Sequence, residues 1–232
     1  PGIGAVLSQQ QRQQAPIPPF IHFGNMKHPA YTAPGYAGVL GRSFDPFLVT
    51  QDPNSPKFSV REFDVADDVD VGRIHHRKSL LSSLDRYQRK AEAQLDFARS
   101  HDNFTAQALS LATSRVAKQA FDLTKERDSL RDRYGRDRVG QSMLMARNLA
   151  QAGVPLVTVY AAAGDLNGSK GAHFDTHGNG YARLRDHMLP PLDQALSGLL
   201  DDLHESQAID ETLVVLLTEF GRTPKVKGDG GR

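Results

Sequence analysis

The last third of the sequence constrains the fold most strongly, because two apolar β-type runs flank one long amphipathic helix. Residues 154–160 are apolar and rich in β-branched side chains, as is typical of buried strands, and they follow a helix that ends at Ala152 and Gly153. Apolar residues recur at helical spacing from Leu184 to Leu203, and residues 211–218 repeat the buried-strand pattern. A strand, a helix and a second strand in this order predict a right-handed βαβ unit. The sheet is then parallel, and helices are expected to cover both of its faces.

The rest of the chain divides into two segments whose patterns indicate structural roles. Residues 1–70 contain most of the prolines, which prevents long helices and predicts one short strand with much loop. Residues 71–152 show helical spacing, with further helices expected near 104–123 and 141–151. The charged run 127–138 predicts a solvated linker or a short helix between them. Together with residues 153–232 these segments make a single domain, which we expect to be incomplete at both ends.

Composition excludes several classes of protein. Lys and Arg number 28 against 27 Asp and Glu, so no basic excess points to nucleic acid or an anionic membrane as partner. The absence of cysteine excludes disulfides, thiolate metal sites and a cysteine nucleophile. No apolar run approaches the roughly 20 residues of a membrane helix. At 232 residues and 39% hydrophobic content, the chain can bury one sizeable core.

Two groups of polar residues follow the predicted strands. His173, Asp175 and His177 lie in the loop after residues 154–160, and Glu219 comes directly after the second strand pattern. In open parallel sheets, ligands bind outside the carboxyl ends of the strands. The alternation puts the first three side chains on one face if the stretch is extended, and imidazole and carboxylate are suitable metal ligands. The pattern therefore predicts a site for a divalent cation.

A plainer interpretation of the same residues stays open. Asp175 and Thr176 can shape a turn, with residues 178–180 in left-handed conformations and both histidines solvated. Glu219 at a strand end needs a partner, and Arg222 can be a structural partner or can bind an anionic substrate.

The remaining histidines and cationic residues are interpreted as structural. His187 and His204 lie on the long helix and are expected to be ordinary, partly exposed side chains, while His22 has no companion at ligand spacing. Arg136 and Arg138 could face an anion, but a charge run is usually a solvated surface.

Several motifs in a fixed order carry a resemblance to a bacterial family, the domain of unknown function 1501. They match closely over most of residues 120–224 and only loosely before that. The motifs are FDTHGN at 174–179, LPPLDQAL at 189–196, DETLVV at 210–215, TEFGRTP at 218–224, RYGR at 133–136, GQSMLMAR at 140–147 and AGV at 152–154.

The resemblance implies a fold and an activity, since this family is similar to the sulfatase and alkaline phosphatase superfamily. It implies a three-layer α/β/α sandwich with a mainly parallel sheet and a helical insertion. It also implies a metal-dependent hydrolase of sulfate or phosphate esters, small or polymeric, with zinc, manganese, calcium or magnesium. Asp175 and His177 match the superfamily's metal motif, with His173 beside them, Glu219 stands at a metal-binding position, and Arg222 is the candidate for binding the substrate anion.

The sequence also departs from the superfamily pattern. Glu219 is followed by Phe220, where an Asp-His pair is usual, and the spacing from Asp175 to His177 is shorter than usual. The resemblance puts the nucleophile and a further Asp-His segment outside the chain, which leaves an inactive protein as an alternative. Two other functions remain: an exported, non-catalytic protein that binds an anionic ligand or polymer, and an assembly role for the helices of 71–152. Export leaders in the family imply an extracytoplasmic location.

Overall fold

A small, fully parallel sheet links the N-terminal residues to the C-terminal half of the chain. Strand β1 (Phe20–Phe23) pairs with β2 (Phe47–Val49) on one side and with β3 (Leu156–Val159) on the other, in the order β2-β1-β3. The computed structural model describes residues 1–10, 17–24, 36–60, 111, 114–161, 174, 176, 178–218, 224–225 and 228–230. Parallel strands together with helices make this an α/β fold.

Helices account for most of the remaining regular structure in these ranges. The α-helices are α1 (Ile3–Gln10), α2 (Arg115–Ala120), α3 (Asp128–Tyr134), α4 (Arg138–Gln151), α5 (Gly180–Arg183) and α6 (Leu189–Glu205), with a π-helical segment, Leu184–Met188, joining the last two. Short 3-10 helices cover Gly38–Leu40, Arg42–Phe44, Leu123–Lys125 and Ala208–Asp210. None of the helices in the described ranges is long and apolar enough to cross a membrane.

Helix α4 provides much of the core on one side of the sheet. It begins where the Asp137 carboxylate accepts a hydrogen bond from the Gly140 N–H at 2.9 Å, which satisfies a first-turn donor. Leu144, Met145 and Leu149 are fully buried and pack with the strands. Gly153, at φ +89°, ends the helix and turns the chain into β3.

The two faces of β1 contact different helices because successive strand residues point to opposite sides. Ile21 and Phe23 belong to the core cluster that α4 shares. Phe20 lies on the other side, against α1, where a Cβ added to Gly4 would overlap the Phe20 ring. Helices therefore contact both faces of the sheet, as the sequence predicted.

The helical stretch that begins at Gly180 and ends at Glu205 packs on α3 and α4. Met188, Ala195 and Leu203 are buried apolar residues of this stretch. Gly198 permits a close approach, because a Cβ there would lie 3.1 Å from the Arg133 carbonyl oxygen. Apolar periodicity from Leu184 to Leu203 predicted this helix correctly.

The N-terminal segment contains more regular structure than its prolines indicated. One strand was predicted for residues 1–70, whereas β1 and β2 both form and α1 precedes them. Strands of three or four residues are too short for an alternating pattern to be recognised in the sequence. Pairing between β1 and β2 stabilises both strands. A turn follows β2, where the Asp52 carboxylate accepts a hydrogen bond from the Asn54 N–H at 2.9 Å.

The helical predictions between 104 and 151 are confirmed in part. Of the helix expected near 104–123, the described residues show α2 (Arg115–Ala120), which follows the extended residue Ser114. The helix expected at 141–151 begins earlier, at Arg138, and the charged run 127–138 contains α3, the short-helix alternative. Residues 61–110 lie outside the described ranges, so most of the helical segment predicted from 71 stays a prediction.

The second strand predicted for residues 211–218 is wrong in this structure. These residues carry no strand pairing, and Leu213 and Leu217 are 88% and 79% exposed. A β-branched, apolar run indicates strand propensity only, and a strand forms only where a partner edge pairs with it. The parallel sheet is nevertheless real, because β1 supplies the neighbour of β3.

Candidate functional site

The predicted ligands fall in stretches that the structure does not describe. His173, Asp175, His177, Glu219 and Arg222 all lie outside the described ranges, so their proposed roles stay predictions. Within those ranges, no group of three or more His, Asp or Glu side chains is arranged to hold a metal ion. The site is therefore built from the residues that flank the candidate ligands.

Thr176, between Asp175 and His177, is tied into the protein interior. Its side chain is fully buried, and Phe174 is half-buried. A turn exposed throughout would leave both of these residues in solvent. The stretch is thus anchored at the position between two candidate ligands, which is a requirement for any site that holds its ligands in fixed places.

The turn after His177 is partly what the plainer interpretation predicted. Asn179 adopts the left-handed conformation, with φ 53° and ψ 37°. Gly178 and Gly180 do not have positive φ, so the prediction of left-handed backbone for all three residues holds for Asn179 alone. Asn tolerates this conformation better than most residues because its short polar side chain can hydrogen-bond to the nearby backbone.

A second segment meets this turn. The backbone N–H of Asn179 donates to the Asp229 carboxylate, although the two residues are 50 positions apart. The Tyr181 N–H lies 3.5 Å from the Asp229 carbonyl oxygen. The chain beyond Arg222 thus returns to the turn that follows His177, and we call this meeting of residues 178–181 with 228–230 the helix-start contact.

Two glycines make the helix-start contact close. A Cβ on Gly180 would overlap the carbonyl oxygen of Gly230. Gly230 has φ +83°, and a Cβ there would lie 2.9 Å from the Tyr181 ring. Larger residues at either position would push the two segments apart.

His22 has a polar partner that sequence spacing did not reveal. Its Nδ1 lies 2.7 Å from Oγ1 of Thr158, its register partner on β3. Burial lowers the pKa of His22 to about 4, so the imidazole is neutral at pH 7. The pair joins β1 to β3 near the carboxyl ends of the strands, which is a structural contact.

The other histidines and arginines behave as the sequence indicated. His187 and His204 are exposed. Arg136 pairs with the carboxylates of Asp128 and Asp132 beside it, and Arg138 donates to the Thr50 carbonyl oxygen at 2.7 Å. Both arginines thus have partners within the protein, which favours the structural interpretation of the charge run.

An interior polar network is the main feature that sequence analysis missed. The Tyr134 hydroxyl donates to the Asp202 carboxylate at 2.9 Å, and the Nε of Arg147 lies 2.8 Å from the same Oδ2 atom, close in distance but not aligned as a hydrogen bond. Glu126 lies 3.7 Å from another Arg147 nitrogen. Burial, followed by the hydrogen bond to Asp202, raises the pKa of Tyr134. The signal available in the sequence was Asp202, a carboxylate next to Leu203 on the apolar side of the helix.

Comparison with known proteins identifies the family and nothing more specific. Neither a curated protein nor a solved structure matches the chain. The family model described as "Protein of unknown function (DUF1501)" matches residues 1–232, which is the full length of the sequence. The resemblance seen in the motifs at 174–179 and 218–224 is therefore confirmed, and the chain belongs to the DUF1501 family.

Proposed function

We propose that this protein is a metal-dependent hydrolase of phosphate or sulfate esters, built on an α/β/α sandwich of the alkaline phosphatase type. The observation that carries the proposal is the helix-start contact. It joins the segment that bears His173, Asp175 and His177 to the chain that follows Glu219 and Arg222. Asn179 follows His177 by two residues and Asp229 follows Arg222 by seven, so the contact supports a site shared by the two stretches of sequence.

The donor set fits a divalent cation. Two imidazoles and two carboxylates from His173, Asp175, His177 and Glu219 match the ligand chemistry of zinc or manganese, and carboxylates alone suit calcium or magnesium. These residues would hold the cation, which would supply Lewis-acid chemistry: polarisation of the ester oxygen and a lower pKa for an attacking hydroxyl or water. Arg222 offers a planar guanidinium that suits bidentate binding of a phosphate or sulfate group.

The test is hydrolysis of p-nitrophenyl phosphate and p-nitrophenyl sulfate by the full chain, with zinc, manganese, calcium or magnesium supplied in turn. Activity with one of these metals, abolished by chelator, by Asp175→Asn and by His177→Gln, is the expected result. His204→Gln is the matched control, because that histidine is exposed near the far end of the same helical stretch. Turnover that survives chelator and both ligand variants would contradict the proposal.

A second function, binding of an anionic polymer without hydrolysis, is favoured by a cationic cleft. The cleft has a volume of about 430 Å³ and is lined by Arg115, Lys118, Gln119, Asp122 and Lys125. The Asp122 carboxylate lies 3.6 Å from the Lys125 ammonium group. The lining contains three cationic side chains and one carboxylate, so its net charge is positive. The Glu219-Phe220 departure from the superfamily's Asp-His pair points the same way.

Binding of a sulfated polymer such as heparin distinguishes the second function from the first. The cleft predicts salt-sensitive binding that is weakened by the double variant Arg115→Ala with Lys118→Ala and unchanged by Lys57→Ala, an exposed lysine on a turn. Equal binding by all three proteins would remove the cleft from consideration.

A further inference from the structure

The carboxylate of Asp229 lies at the start of the long helical stretch and comes from a distant part of the chain. The first N–H groups of a helix have no partner within the helix, and side-chain acceptors at this end are stabilising. Here the turn residue Asn179 supplies the N–H and Asp229 the acceptor. A negative charge at this end also interacts favourably with the helix dipole.

Both residues of this contact follow candidate ligands closely in the sequence. Asn179 follows His177 by two residues, and Asp229 follows Arg222 by seven. The contact holds Asn179, which lies three residues after the buried Thr176 and immediately before α5. It also holds Asp229, which follows Glu219 by ten residues in the sequence.

We propose that Asp229 is a positioning residue for the candidate metal site, holding the segment of Asp175 and His177 against the segment that follows Glu219 and Arg222. This inference rests on the proposed function. It adds a residue that touches neither metal nor substrate and acts through the Asn179 backbone. Outer residues that orient ligands in this way typically change metal affinity by about 10- to 100-fold when they are removed.

Two variants of Asp229 separate its charge from its hydrogen bond. Asp229→Ala removes both, whereas Asp229→Asn keeps a carbonyl acceptor for the Asn179 N–H and loses only the charge. Asp210→Ala is the matched control, since Asp210 is an exposed acidic residue that follows the same helical stretch.

Two glycines provide an independent pair of variants that leave the carboxylate intact. Gly230→Ala places a methyl group against the Tyr181 ring and strains φ +83°. Gly228→Ala strains a similar backbone, at φ +55°, but meets nothing within 4 Å. Only Gly230→Ala should open the helix-start contact, so the pair separates the contact from general loop strain.

The deciding experiment measures hydrogen exchange of the Asn179 amide, and the Kd for zinc and for manganese by calorimetry, in each full-length variant. We expect Asp229→Ala and Gly230→Ala to accelerate the exchange about fivefold, the scale of a helix cap, and to weaken metal binding by about tenfold or more. Asp229→Asn should show a smaller effect on both, while Asp210→Ala and Gly228→Ala match the unaltered protein.

Three outcomes overturn the inference in distinguishable ways. Unchanged exchange in Asp229→Ala means that the carboxylate does not hold the turn. Faster exchange with unchanged metal Kd means that Asp229 stabilises the helix alone and positions no ligand. An unaltered protein that binds no metal contradicts the proposed function, and the positioning role with it, while the exchange measurement still decides whether Asp229 caps the helix.

Discussion

At the scale of single residues, the interior polar network ties three helices together. Tyr134 ends α3, Arg147 belongs to α4, and Asp202 belongs to α6, and the side chains of Arg147 and Asp202 are only 10% and 14% exposed. An ion pair this far from water contributes little net stability, but removal of one partner leaves an uncompensated interior charge. The network therefore selects one arrangement of the three helices.

Arg147→Ala is expected to lower the free energy of unfolding by about 3 to 5 kcal/mol. Tyr134→Phe is expected to cost about 1 to 3 kcal/mol, because Asp202 loses a hydrogen-bond donor. Urea denaturation measures both. Arg136→Ala, which removes an arginine from an exposed pair of carboxylates, should leave the midpoint nearly unchanged; a midpoint equal to that of Arg147→Ala would contradict the interior role of Arg147.

The titration of His22 is a second single-residue feature that affects stability. Its pKa falls from 6.5 to about 4 on folding, so between these values the unfolded chain binds a proton that the folded protein does not. Stability is therefore lost as the pH falls from 6.5 towards 4, by at most about 3 kcal/mol, and the loss levels off below that range.

Unfolding free energies measured from pH 7 to pH 4 test this prediction. His22→Gln keeps a polar partner for Thr158 but does not titrate, so its stability should fall less steeply than that of the unaltered protein. His204→Gln, at an exposed position, should keep the original slope. Identical slopes in all three proteins would show that His22 is not the responsible group.

At the scale of elements, hydrophobic periodicity predicted the long helices correctly. It did not predict the short strands or which strands pair. Helix α4 and the stretch from Leu184 to Leu203 each present enough turns for their apolar spacing to be read. Strands β1 and β2 are too short for such a signal. The run 211–218 has strand composition, but pairing depends on a neighbour that local sequence does not specify.

The exposure of residues 211–218 gives a direct test at this scale. Leu213→Ala should change the free energy of unfolding by no more than about 0.5 kcal/mol, because the side chain is 88% exposed. Leu203→Ala, at a buried position on α6, should cost about 2 to 5 kcal/mol. Similar large losses in both variants would mean that residue 213 lies in a buried strand, as the sequence pattern predicted.

At the scale of the whole molecule, the α/β class and the parallel sheet could be predicted, whereas the sheet order could not. The β-branched composition of residues 154–160 correctly indicated a strand, although all four residues of β3 are half-buried rather than buried. The partner of β3 is β1, more than a hundred residues earlier. The candidate ligands His173, Asp175, His177 and Glu219 came from motif order, and the Asp229 contact was missed because nothing in local spacing links positions 50 apart.

The central claim is that Asp175, His177 and Glu219 together hold a divalent cation. Calorimetric titration of the chelator-treated chain with zinc and manganese tests it most directly, alongside Asp175→Asn, His177→Gln, Glu219→Gln and the control His204→Gln. We expect saturable binding by the unaltered protein and by His204→Gln, and loss of that binding in each of the three ligand variants. Equal binding by all five proteins, or binding by none, would contradict it.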